Sequence, residues 1–114
     1  YRSARERYEA AVEALRTQLV AMAFASLSEV LPGADSIDAI GEFNEDWIPT
    51  LRIQRIRSAD DQVLFDVDAG NADGAVEDTV DTVDIEYLDT LVYITGDQYM
   101  GANTIDRADS VGLG

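Results

Sequence analysis

Asp66, Asp68 and Glu77 stand at the first, third and twelfth places of a twelve-residue stretch, the spacing at which a calcium loop sets three of its oxygen ligands. The rest of the stretch breaks that pattern. Gly70 occupies the fifth place and brings no side-chain ligand, and Asn71 stands where the loop's sharp turn needs glycine. The residues before Asp66 alternate like a strand, whereas a calcium loop of this type follows a helix. The stretch is therefore expected to be a solvated acidic loop, with no metal and no cofactor.

Carboxylates continue beyond it. Asp66, Asp68, Asp73, Glu77, Asp78, Asp81, Asp84 and Glu86 form a set of one sign that is expected to meet another protein. Arg52, Arg55 and Arg57 are three of the chain's eight basic residues within six positions. Two roles suit them: an anion grip, or neutralisation of Asp66 and Asp68 across a hairpin. Placing Ile56 opposite Phe65 and Arg55 opposite Asp66 makes sense of both pairs, which favours neutralisation.

Catalysis has few groups to draw on. The chain holds no His, Cys or Lys, so the usual acid–base, thiol and Schiff-base routes are closed. A pair of carboxylates remains chemically able to hydrolyse a glycosidic bond, but among 23 Asp and Glu no pair stands out. The expectation is a non-catalytic protein–protein interaction domain. One alternative is an acidic mimic of the DNA backbone that inhibits a DNA-binding protein. Another is a small carboxylate-dependent hydrolase or ligand-binding domain.

The formal net charge is −15, and all eight basic residues are Arg. Such a surface repels nucleic-acid phosphates and anionic lipids, so direct nucleic-acid binding and membrane attachment are not expected. A partner with a basic surface fits. The absence of Cys suits a cytoplasmic location. The 114 residues bound one domain with one modest core, and the 46% hydrophobic content is that of a soluble globular chain. No uninterrupted run of about 18 apolar residues occurs.

The elements that would position these groups follow from period. Tyr8, Val12, Leu15, Leu19 and Met22 step by four and three and predict a helix over 2–31, closed by Pro32-Gly33. Its first 16 residues carry four Arg and three Glu, and the stripe permits a homodimer through this helix. Strands are predicted at 36–43, 47–57 and 63–68, with a turn at Asp60-Asp61. The slip from Leu51 and Ile53 to Ile56 predicts a β-bulge at Gln54. Residues 69–79 read as a loop, and 77–95 as a helix that Ile85 does not fit; the alternation Val83-Ile85-Tyr87 leaves a strand as the alternative there. The tail 103–114 is expected to fray. Trp47 is expected as a core or hairpin-entry anchor. Tyr93, Tyr99 and Met100 are expected to close the bottom of the core. The fold class is α+β: a long N-terminal helix, a two- or three-stranded antiparallel sheet, and a second helix on the same face.

Overall fold

The Ser3 hydroxyl accepts the Glu6 N–H at 3.2 Å and so satisfies one of the donors that a helix start leaves open. From there α1 runs Ala4–Val30 in the computed structural model, which describes residues 3–70 and 73–108. The helix stops where Gly33 adopts φ +93°, a conformation that glycine takes without strain. The buried positions of α1 are Leu19, Val20, Ala23, Phe24 and Leu27, so its second half supplies the core. One window of α1 reaches a mean hydropathy of 1.2, long and apolar enough by composition to cross a bilayer. Of that window 28% is buried, through the core positions just named. The first half of α1 is exposed, including Tyr8 and Leu15.

Four strands follow: β1 (Ala34–Phe43), β2 (Pro49–Ser58), β3 (Val63–Asp66) and, after the second helix, β4 (Gly101–Asp106). They form one antiparallel sheet in the order β3-β2-β1-β4. Arg55 faces Asp66 and Ile56 faces Phe65, the expected register. Asp38 pairs with Arg55 and Ala39 with Ile53, which leaves Gln54 as the extra residue of a bulge. That bulge turns Ile53 and Ile56 both towards the core, where each is buried. The hairpin turn lies at Ala59-Asp60, one residue before the expected Asp60-Asp61 because the register slips between Ile56 and Arg57, and it is closed by the Asp61 N–H donating to the Ser58 carbonyl at 3.0 Å.

The second helix, α2, spans residues 74–95 as an α-helical stretch Gly74–Val83, a π turn Asp84–Leu88 and a further α-helical stretch Asp89–Thr95. It begins before Glu77, because Asp73 caps it by accepting the Ala75 N–H at 2.9 Å. The helix thus takes the place of the alternative strand at Val83-Ile85-Tyr87. Both helices lie on one side of the sheet, and Val80, Val83, Leu88, Leu91 and Val92 complete the core.

The sheet has one strand more than the sequence suggests. Gly101, Ala102 and Asn103 are poor strand formers, and in β4 only Ile105 is buried. Pairing with β1 holds the segment extended, so Asn103 to Asp106 belong to a strand and not to a frayed tail; residues 109–114 lie outside the described region. Arg107 then ties the chain to α1 through the Ser28 hydroxyl and lies 5.6 Å from the Phe24 ring centroid. Tyr99 is buried and Met100 packs on the core, as expected, whereas Tyr93 is exposed.

Gly41 decides how closely β4 can approach. A Cβ there would sit 1.9 Å from the Tyr99 carbonyl oxygen, a backbone atom that no rotamer change can move. Gly41→Ala is expected to lower unfolding stability by about 1–3 kcal/mol, measured by urea denaturation; an unchanged midpoint would show that the contact carries no strain.

Candidate interaction surfaces

The edge of β2 sets the geometry of the acidic region. β3 has only four residues, and pairing on that side ends where the Val67 N–H donates to the Gln54 carbonyl at 2.9 Å. The Ile53 N–H turns instead to Asp84 Oδ1 at 3.0 Å. Next to it, Arg52 reaches Asp89 at 2.5 Å. A side chain of α2 thus stands in for the missing strand partner, and a buried main-chain donor is satisfied.

A π turn starts at Asp84 and keeps the later inward positions of α2 in line with it. Val80, Asp84, Leu88 and Val92 are all buried, and they step by four each time. On a regular helix such a series drifts by about 120° over twelve residues. The Asp89 N–H bonds to the Asp84 carbonyl five residues back, and the one extra residue absorbed there sets the later positions back by about 100°. The same turn throws Ile85 outward to 65% exposure, which is why that residue fits no regular helical template.

Asp84 therefore departs from the set of carboxylates expected at the surface. It is only 7% exposed. Burial pushes its carboxyl up to about 6, against the opposing pull of the Ile53 N–H and the Arg52 charge. The other seven members divide. Asp66 lies 3.6 Å from Arg55, and Asp73 is the helix cap. Asp68, Glu77, Asp78, Asp81 and Glu86 are exposed and make no ion pair among the described residues. Asp66, Glu77, Asp81 and Asp84 also line a small cleft of about 160 Å3 with Ile53 and Val80. No group of three or more carboxylates among the described residues is placed to hold a metal ion.

The three arginines of β2 each meet carboxylates of the same chain. Besides Arg52–Asp89 and Arg55–Asp66, Arg57 grips Asp38 with two bonds of 3.0 and 2.9 Å and reaches Asp61 at 2.6 Å. Thr104 of β4 donates to the same Asp38 at 2.9 Å. Burial alone would raise the Asp38 carboxyl, but Arg57 and Thr104 outweigh it and hold it below the usual range. The neutralising role thus describes these arginines, with Asp38, Asp61 and Asp89 as partners alongside Asp66. Asp68 is not an ion-pair partner.

A different surface is not foreseen from the sequence. Trp47 is no core anchor: it is 80% exposed at the tip of the β1–β2 hairpin. Asn44 builds that tip, its Oδ1 accepting the N–H groups of Asp46 and Ile48 at 2.9 and 3.0 Å. Trp47 is held there at φ +61°. The signal was the Asn44-Glu45-Asp46-Trp47 run, which reads as a tight loop too short to return an indole to the core.

Comparison with protein-family models, curated protein sequences and solved structures finds no match for this chain.

Asp84 yields a prediction with a definite sign. Its carboxyl titrates near 3.8 when ordinary and about 6 in the fold, so the folded state holds the proton more tightly. This group costs no stability below pH 4, and the cost grows through pH 4–6 to a plateau on the order of 3 kcal/mol. Asp84→Asn keeps an acceptor for Ile53 and cannot ionise. The variant is expected to be more stable than the parent at pH 7, with the gap closing towards pH 4, read by urea denaturation across that range. A gap independent of pH would contradict this assignment.

Proposed function

We propose that this protein is a non-catalytic domain that binds another protein through the outer face of α2. The observation that carries the reading is the division among the carboxylates. Asp38, Asp61, Asp66 and Asp89 are paired with arginines of the same chain, whereas Glu77, Asp78, Asp81 and Glu86 on α2 have no such counter-ion among the described residues. Exposed charges of one sign raise the encounter rate with an oppositely charged surface and disfavour other partners. The reading also accounts for the buried carboxylate: Asp84 Oδ1 is engaged by a backbone N–H, which gives this residue a structural task.

The partner that fits carries a basic face. A DNA-binding protein held by a mimic of its ligand is the narrower form of the same reading.

The test compares the tagged protein with Glu77→Gln/Asp78→Asn/Asp81→Asn in lysate of the source cells, with DNase present and salt low. Proteins held by the parent are expected to fall at least tenfold in the triple variant, and likewise for the parent at high salt. Equal recovery by both proteins would remove α2 as the binding face. A catch made up of DNA-binding proteins would select the mimic.

A further inference from the structure

The hairpin tip holds an aromatic group where the backbone would favour glycine. Non-glycine residues seldom adopt positive φ, and bulky ones are true outliers there. Trp47 does so at φ +61° with its indole in solvent and its ring 6.3 Å from that of Phe43, at a 49° tilt. Beside the tip, Ile48 and Pro49 form one wall of an open groove of about 290 Å3, whose other wall is Tyr93 with Thr90 and Asp89 of α2. Tyr93 is 76% exposed, and Phe43 and Ile48 are about half exposed. Four of the exposed large apolar side chains, including the two most exposed, are thus gathered at one end of the protein. Trp and Tyr are the residue types that anchor binding interfaces.

The rim states the chemistry of the occupant. Glu45 and Asp46 at the hairpin tip are exposed and form no ion pair among the described residues, and the groove wall holds Asp89, paired with Arg52, and no arginine. An apolar groove with free carboxylates at the adjoining hairpin tip matches a segment with an aliphatic anchor between Lys or Arg residues. We infer that the groove between the Phe43–Trp47–Ile48 tip and Tyr93 docks a basic amphipathic segment of a partner protein. This rests on the reading that the domain binds proteins, but it names a surface apart from the α2 carboxylates.

The chain's single tryptophan reports on this surface directly. The probe is a fluorescein-labelled 14-residue peptide of Lys and Leu in amphipathic helical order; the control replaces every Leu by Ser at the same charge. The Lys–Leu peptide is expected to shift Trp47 emission to the blue and to saturate, whereas the Lys–Ser peptide leaves the emission where it was. In anisotropy titrations Trp47→Gly and Tyr93→Ala are each expected to weaken binding of the Lys–Leu peptide at least tenfold. Trp47→Gly suits the local φ, so loss of binding in that variant is not loss of fold. Asp60→Asn, at the hairpin turn at the other end of β2, removes a carboxylate from neither surface and is expected to bind the peptide within threefold of the parent. Equal emission shifts with both peptides, or undiminished affinity in Trp47→Gly and Tyr93→Ala, would overturn the assignment. A loss confined to the α2 triple variant would overturn it too, while leaving the α2 face standing.

Discussion

The rest of this structure depends on how the open edge of β2 is closed. A four-residue β3 cannot pair with the whole of a ten-residue β2, and an unpaired edge in the interior is costly. The chain closes it with a helix side chain: Asp84 takes the Ile53 N–H, and Arg52 and Asp89 pair alongside. Asp84 opens the π turn, and that turn fixes the direction of everything after it on α2. The placing of Tyr93 beside Ile48 and Pro49 is one consequence. The exposed row at Glu77, Asp78 and Asp81 lies before the turn and is set by Val80, Val83 and Asp84 facing inward.

The charge distribution shows the same economy. Residues 17–114 hold 20 carboxylates and 4 arginines. Three of those arginines stand on β2 and bind carboxylates of β1, the hairpin turn, β3 and α2, so they knit the sheet to itself and to the helix layer. The fourth, Arg107, ties the end of β4 to α1 at Ser28. Among the described residues no ion pair joins an arginine to Glu77, Asp78, Asp81 or Glu86 on α2, or to Glu45 or Asp46 at the hairpin tip. The acidity of this protein is therefore patterned: neutralised where strands and helices meet, open where solvent does.

Much of the frame was legible in the sequence because local chemistry and tertiary demand agree. The step from Ile53 to Ile56 requires one extra residue, and Gln54 is that residue. Opposite charge on Arg55 and Asp66, and apolar bulk on Ile56 and Phe65, are enough to fix the hairpin register. What was not legible depended on distant partners. β4 is held by pairing with β1, and Gly101-Ala102-Asn103 carries no strand signal of its own. Asp84 looks like its neighbours in sequence and differs only because β3 is short and leaves Ile53 unpaired. Trp47 misled for a related reason. A lone tryptophan usually anchors a core, but Asn44 closes a loop that points this one outward.

The most direct test of this account is the pH titration of the Ile53 amide proton by NMR, since its hydrogen-bond partner is the Asp84 carboxylate. The account predicts a shift with a midpoint of about 6, absent in Asp84→Asn. An Ile53 amide that does not titrate, or that titrates equally in Asp84→Asn, would mean that Asp84 does not close the edge of β2.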